Sequence, residues 1–111
     1  MELIRHSPDF ATTGQLEPDQ LGEVAARGFR TVIANRPDGE GGDLQPSSAV
    51  LAAAAREHGL EFVYQPVVSG RIGEADVDAF AQHLARLPGP VLAFCRTGAR
   101  SATLYARVTG G

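Results

Sequence analysis

The chain has few of the residues on which disulfides, metal sites and covalent cofactors depend. Its 111 residues include one cysteine, Cys95, and no tryptophan. A single cysteine cannot form an internal disulfide, and His6, His58 and His83 lie too far apart in the sequence to suggest a set of metal ligands. We therefore expect no metal and no cofactor, and a reducing cytoplasm is the simplest compartment for the protein.

Long apolar runs and an excess of positive charge are also missing. No apolar run approaches the ~20 residues that span a bilayer, and Glu2, Arg5 and His6 interrupt the N-terminal segment where a signal peptide would be apolar. The net charge is -3, whereas nucleic acids and anionic membranes attract basic surfaces. We expect neither as a partner. The 43% hydrophobic and 21% charged residues are typical of one globular domain over residues 1–111.

Turn residues and apolar patterns divide the chain into strands and helices. Strands are predicted at 2–5, 10–13, 29–34, 61–68 and 91–94, and helices at 17–27, 46–58, 74–87 and 100–109. From residue 17 onward strand and helix alternate, which predicts an α/β domain with a mainly parallel sheet flanked by helices. In such sheets the loops after the strands line the ligand crevice. Here these loops are 35–43, 69–73 and 95–100.

The segment after the last predicted strand carries the strongest functional signal. Cys95 stands at the end of the strand, Gly98 allows the following backbone to turn inward, and a helix begins at Arg100 with Ser101 able to cap it. Unpaired N–H groups at a helix start favour a thiolate and a bound anion. Arginine adds positive charge, and its guanidinium forms paired hydrogen bonds to oxyanions. We predict catalytic roles for Cys95 and Arg100. The predicted anion-binding residues are Arg96, Thr97, Gly98, Ala99, Ser101 and, from an earlier loop, Arg36.

Four segments together carry a resemblance to a known family: GFRTVIANRPDGE, QPSS, YQPV and FCRTGARSATL. The chain resembles the bacterial beta-lactamase-hydrolase-like, phosphatase-like domains from about Ile4 to Tyr105. The resemblance implies a dual-specificity-phosphatase-like α/β fold, a nucleophile at Cys95 and a loop arginine at Arg100. Some members are fused to, or work beside, a persulfide dioxygenase of the metallo-β-lactamase fold. The resemblance therefore implies such an enzyme as a partner and associates the setting with sulfur transfer.

The spacing from cysteine to arginine separates two kinds of chemistry. Protein tyrosine phosphatases place five residues between them, whereas only four residues separate Cys95 from Arg100. The shorter loop resembles the cup of rhodaneses, whose cysteine carries a persulfide. One residue fewer removes one N–H donor and tightens the cradle, so a phosphoryl group should fit less well than a single sulfur atom. The spacing therefore favours sulfur transfer.

A general acid is the second point of difference. Phosphatases of this fold supply an aspartic acid from the loop after the strand that corresponds to residues 61–68, to protonate the leaving oxygen. Here that loop, residues 67–72, contains no carboxylate. Asp38 and Glu40 of the loop after the strand at 29–34 remain as candidate acids, although Pro37-Asp38-Gly39 is also a typical turn. Sulfur transfer needs no strong acid.

Three functions stay open at this point. We predict a sulfurtransferase that forms a persulfide on Cys95 and uses thiosulfate or a small persulfide as donor. The first alternative is a protein tyrosine or dual-specificity-like phosphatase that forms a Cys95 phosphoenzyme. The second is a non-catalytic anion-binding partner of a metallo-β-lactamase-fold enzyme. Each of them takes a small sulfur-containing or phosphorylated anion as its ligand.

Overall fold

A computed structural model describes residues 1–110. These residues form an α/β fold with five strands and four α-helices. The strands are β1 (Ile4–Ser7), β2 (Phe10–Thr13), β3 (Thr31–Ala34), β4 (Glu61–Tyr64) and β5 (Val91–Phe94). The helices are α1 (Leu21–Ala26), α2 (Ser48–Glu57), α3 (Glu74–Arg86) and α4 (Ala99–Val108). Short 3-10 turns lie at Pro18–Gln20 and Gly42–Leu44. None of the helices within residues 1–110 is long and apolar enough to cross a membrane.

The strands form one sheet in the order β1-β2-β5-β3-β4. Only β1 runs antiparallel to its neighbour, and the other three pairings are parallel. Phe94, the last residue of β5, lies between Thr13 of β2 and Ala34 of β3. The predicted α/β fold with a mainly parallel sheet is therefore confirmed. The centre of its carboxyl edge is the end of β5, where Cys95 follows.

The core lies in two layers, one on each face of the sheet. Alternating residues of a strand face opposite sides, so each strand contributes to both layers. One layer packs the strands against α1 and α2, and it includes Leu21, Leu51, Val32, Leu92 and Phe94. The other layer packs them against α3 and α4, and it includes Phe80, Leu104, Ile33, Val91 and Phe10. Because both faces are covered, the strands β2, β3 and β5 are buried along their whole length, as is typical of parallel sheets.

The strand predicted at 2–5 lies two residues later, at Ile4–Ser7, and several predicted elements are shorter in the structure, two of them by the most. The strand predicted at 61–68 ends at Tyr64. Gln65 and Val67 still donate to the carbonyl oxygens of Ala34 and Asn35, but these acceptors are consecutive residues, so the alternating pattern of parallel pairing stops there. The helix predicted at 17–27 consists of a 3-10 turn followed by the six-residue α1. Gly22 within α1 lowers helix propensity, and the His58 ring lies 3.0 Å from where a Gly22 side chain would begin.

Candidate functional site

The Cys95 loop lies between β5 and α4 at the centre of the carboxyl edge. Its last turn depends on Gly98, which has a left-handed φ of 97° and precedes the first residue of α4. A side chain at Gly98 would also begin 3.3 Å from the Thr13 carbonyl oxygen of β2. The turn directs the Gly98 N–H group to the Cys95 Sγ atom at 3.1 Å. The cysteine side chain is 1% exposed, so the loop covers it almost completely.

The electrostatics of Cys95 favour a thiolate. Burial acts to raise the pKa of the thiol, but hydrogen bonds from the backbone N–H groups of Ser101, Thr97, Arg100 and Gly98 lower it. The hydrogen bonds prevail, and the pKa of Cys95 lies below its ordinary value. These donors belong to the loop and the first turn of α4, whose unpaired N–H groups attract negative charge. The arrangement therefore makes the thiolate of Cys95 easier to form than that of an ordinary cysteine.

Arg100 links the cysteine to a loop on the neighbouring strand. Its Nη1 and Nη2 atoms donate to the Glu40 carboxylate at 2.8 and 2.7 Å, and Nη1 also donates to the Val67 carbonyl oxygen at 2.9 Å. The Glu40 hydrogen bond raises the pKa of Arg100 against the opposing effect of burial, and Cys95 adds to this through its charge and a hydrogen bond. Because a guanidinium has five N–H groups, the Nε–H and one Nη2–H remain for the thiolate or a bound anion.

Glu40 lies between two arginines. Its Oε1 atom accepts from Arg36 Nε at 2.9 Å as well as from Arg100. Arg36 in turn donates to the Gln15 side chain at 3.2 Å, so it connects two loops as well as facing the cleft. The Arg100 hydrogen bond is the main reason that the pKa of Glu40 falls to about 2; burial opposes this, and Arg36 contributes to it. Glu40 is therefore ionised at neutral pH.

Neither candidate acid is placed as a proton donor should be. Glu40 holds no proton at neutral pH, because both arginines stabilise its carboxylate. Asp38 accepts hydrogen bonds from the backbone and side chain of Ser48 at 2.8 and 2.7 Å, which fastens the loop to the start of α2. Its backbone N–H donates to the Tyr64 hydroxyl at 3.0 Å. Both carboxylates therefore have structural partners in this arrangement.

The loop and its arginines line an open cleft of about 550 Å³. Arg96 and Thr97 are exposed at its edge, and Ala99 and Arg100 contribute from the first turn of α4. Arg36, Glu40, Gly41 and Ser69 line the opposite side. Three arginines and one carboxylate give the cleft an excess of positive charge, which suits a small anion.

Ser101 is placed differently from the sequence prediction. Gly98 is the residue that precedes α4 and Ser101 lies inside the helix, where its hydroxyl bonds a different element, so the predicted cap by Ser101 is wrong. The Ser101 hydroxyl is buried and donates to Asn35 Oδ1 at 2.8 Å, pointing away from the cleft, while its backbone N–H is directed to Cys95. Only the backbone of Ser101 is available to the thiolate.

Asn35 was not predicted as part of the site. It is fully buried at the end of β3, next to the Cys95 loop. A polar amide at the end of an apolar strand, on the edge where the ligand crevice forms, was the available signal in the sequence. Among residues 1–110 there is also no group of three or more histidine, cysteine, aspartate or glutamate side chains arranged to hold a metal ion.

Comparisons with known proteins place this geometry in a family. The family model described as beta-lactamase hydrolase-like protein, phosphatase-like domain, matches residues 2–110. The beta-lactamase hydrolase-like protein of Xylella fastidiosa (strain Temecula1 / ATCC 700964) is 39% identical over 106 residues, which are 96% of this chain and 24% of that protein. The chain thus spans about a quarter of the length of the curated relatives it matches.

Two solved structures have the same fold. A candidate phosphatase from Neisseria meningitidis superposes with a TM-score of 0.88 at 33% identity, covering 96% of this chain and 75% of that one. The P. aeruginosa protein TpbA, solved in complex with pTyr, superposes with a TM-score of 0.72 at 19% identity, covering 98% and 64% of the two chains. From the family match along almost its whole length, we conclude that the chain belongs to the phosphatase-like domains of the beta-lactamase hydrolase-like protein family.

Proposed function

We propose that the domain is a cysteine-dependent phosphatase that transfers a phosphoryl group to Cys95. The observation that carries the proposal is the thiolate held by backbone N–H groups beneath a cleft with Arg36, Arg96 and Arg100. The family match and the Neisseria meningitidis structure support phosphatase chemistry better than the sulfur transfer that the loop spacing favoured. Sulfur transfer is therefore the second candidate function.

The reaction uses groups already in place. The Cys95 thiolate attacks phosphorus, an S–P bond forms, and the P–O bond to the leaving group breaks, so that the leaving group departs as an oxyanion. Water then attacks phosphorus, the S–P bond breaks, and hydrogen phosphate leaves with the thiolate restored, while the second proton of the water passes to solvent. The loop N–H groups and the free edge of Arg100 stabilise the charge on the phosphoryl oxygens in both steps.

The substrate follows from the position of the carboxylates. Protonation of the leaving oxygen commonly contributes a factor of about 10²–10⁴ to the rate. Asp38 is bonded to Ser48, and Glu40 is held ionised by Arg36 and Arg100, so neither supplies this proton in the present arrangement. We therefore propose phosphate esters whose leaving group departs as an anion, such as aryl phosphates, in preference to alkyl phosphates.

The second candidate is a sulfurtransferase, and the four-residue spacing between Cys95 and Arg100 specifically favours it. Here the thiolate attacks the outer sulfur of thiosulfate, the S–S bond breaks, and sulfite leaves while Cys95 keeps a persulfide. A thiol or cyanide then attacks the outer sulfur and removes it. No acid is needed, which agrees with the ionised Glu40. A persulfide dioxygenase partner belongs to this candidate.

Steady-state turnover of 4-nitrophenyl phosphate, an alkyl phosphate and thiosulfate with cyanide tests the proposal. A phosphatase hydrolyses the aryl ester well, the alkyl ester at least a hundredfold more slowly, and loses both activities in Cys95→Ser. The control is Thr31→Val, which removes a buried hydrogen bond to the Pro88 carbonyl oxygen at the amino end of β3 and should leave activity nearly unchanged.

The other outcomes decide among the alternatives. Formation of thiocyanate from thiosulfate and cyanide, with no hydrolysis of the aryl ester, overturns the phosphatase and establishes the sulfurtransferase. Binding of phosphate or thiosulfate without either turnover leaves the non-catalytic anion-binding partner as the function.

A further inference from the structure

Asn35 joins three elements around the Cys95 loop. Its backbone N–H donates to the Phe94 carbonyl oxygen at 2.8 Å, and its own carbonyl oxygen accepts from the Val67 N–H at 2.9 Å. Its side chain donates from Nδ2 to the Gln65 carbonyl oxygen at 2.9 Å and accepts at Oδ1 from the Ser101 hydroxyl at 2.8 Å. One residue therefore connects β3 with the end of β5, the segment after β4, and α4.

Three of these four bonds end next to a group that the proposed reaction uses. Phe94 directly precedes Cys95, and Ser101 directly follows Arg100 and directs its N–H group to the thiolate. Val67, whose N–H is bonded to Asn35, accepts a hydrogen bond from Arg100 Nη1 through its carbonyl oxygen. The Asn35 side chain thus links two parts of the site: the segment after β4, whose Val67 carbonyl oxygen bonds the Arg100 guanidinium, and the first turn of α4, which contains Arg100.

The Asn35 side chain is buried, and its hydrogen bonds are made within the protein. Asn35 is 0% exposed, so it cannot touch a ligand in the cleft, and a buried amide is costly unless its polar atoms are bonded. By accepting from Ser101, it also keeps that hydroxyl turned away from Cys95, so that backbone N–H groups alone stabilise the thiolate on that side.

We propose that Asn35 is a positioning residue, which holds the Cys95 loop and the Arg100 guanidinium in the arrangement that group transfer at Cys95 requires. The inference rests on the proposed use of Cys95 as nucleophile. It does not depend on whether phosphate or sulfur is transferred, because both chemistries need the same thiolate and the same arginine.

The charged groups near the thiolate come from two elements besides its own loop. Arg100 of α4 faces Cys95, and Glu40 and Arg36 of the loop after β3 lie beyond Arg100. Arg96 lies at the exposed edge of the cleft. In the part of the chain that the structure describes, none of these four side chains shares a hydrogen bond with Asn35. A change in thiolate stability on substitution of Asn35 therefore reports the position of the donors, not the loss of a charge.

The test is the pH dependence of Cys95 alkylation by iodoacetamide in the intact chain. In Asn35→Leu the N–H donors lose their alignment, and we expect the midpoint of the alkylation profile to rise by roughly half a pH unit to one unit. Ser101→Ala removes only one of the two side-chain bonds of Asn35, and its midpoint should rise by less. The matched control is Thr31→Val, which loses a buried hydrogen bond on the same strand at the end remote from the site and should keep the original midpoint.

A folded Asn35→Leu variant with the original midpoint, or an equal rise in Thr31→Val, overturns the proposal. If Asn35→Leu does not fold, Ser101→Ala decides: a raised midpoint supports the positioning role and an unchanged one refutes it. Alkylation requires no substrate, so the result stands whether or not the proposed phosphatase activity is found.

Discussion

Replacement of Arg100 and of Arg96 by alanine separates the arginine that we propose holds the anion from the one at the rim. Arg100 is buried, donates three hydrogen bonds to Glu40 and Val67, and keeps a free edge beside Cys95. Arg96 is exposed at the edge of the cleft. Both carry the same charge, so a difference between the two variants reflects where each guanidinium lies and which groups it bonds.

The expected magnitudes follow from these environments. Losing a charge-assisted hydrogen bond to a buried anion costs about 1.5–3 kcal/mol, so kcat/KM should fall about ten- to a hundredfold in Arg100→Ala. An exposed charge pair contributes about 0.2–1 kcal/mol, so Arg96→Ala should lose no more than about fivefold. Arg100→Lys keeps the charge and loses the planar fork, and its activity should fall between the two.

The assay is the initial rate of 4-nitrophenyl phosphate hydrolysis over a range of concentrations, or thiocyanate formation if sulfur is transferred. The melting temperature of each variant is measured alongside, because Arg100→Ala also leaves Glu40 with Arg36 as its remaining partner. Equal and small losses in Arg96→Ala and Arg100→Ala, in folded protein, would show that the loop does not hold an anion against Arg100.

Three further predictions concern the acid–base behaviour and backbone of the site. The pKa of Glu40 is about 2 instead of its ordinary 4.5, so its ion pairs stabilise the fold above pH 4.5 and are lost as the pH falls towards 2. The full shift corresponds to roughly 3 kcal/mol, and screening by solvent at the 28% exposed side chain reduces this to about 1 kcal/mol. Acid denaturation of Glu40→Gln against the original protein should therefore show a difference of about 1 kcal/mol near neutral pH that disappears in acid. The pKa of Cys95 is lowered, so its alkylation profile should have a midpoint below that of a free cysteine, whereas a midpoint at or above that value would contradict the thiolate. Steric access changes the rate equally at every pH and leaves this midpoint unaffected. Gly98→Ala should lower the free energy of unfolding by about 1–2 kcal/mol and slow turnover, because Gly98 has a φ of 97° and the Thr13 carbonyl is close to where a side chain would begin. Unchanged stability and activity would contradict the described turn.

Local sequence patterns were sufficient to predict much of the fold. The strand at 91–94 has the predicted bounds because Pro90 and Cys95 flank four apolar residues, and α3 ends within one residue of its prediction because Pro88 and Gly89 follow it. At 17–27 the pattern of apolar residues was right, but the segment forms a 3-10 turn at Pro18–Gln20 and a short helix at Leu21–Ala26 instead of one helix. Packing decides whether such a segment forms one helix or a turn and a shorter helix.

The contacts that define the candidate site were largely beyond the sequence. Arg100 and Glu40 are 60 residues apart, and nothing local indicates that their side chains meet. The same holds for Ser101 and Asn35, 66 residues apart, where a local pattern suggested a helix cap and a long-range partner took the hydroxyl instead. The position of Cys95 and Arg100 at the carboxyl edge of the sheet could be predicted, because the strand, the glycine turn and the helix start are adjacent in the chain.

The most direct test of the proposed function is the intact mass of the protein during a single turnover of 4-nitrophenyl phosphate, quenched in acid. We expect a species heavier by one phosphoryl group on Cys95, formed together with one equivalent of nitrophenolate, and neither product in Cys95→Ser. No phosphorylated species and no nitrophenolate, together with a protein that thiosulfate makes heavier by one sulfur atom and cyanide restores, would contradict the phosphatase and assign the cleft to sulfur transfer.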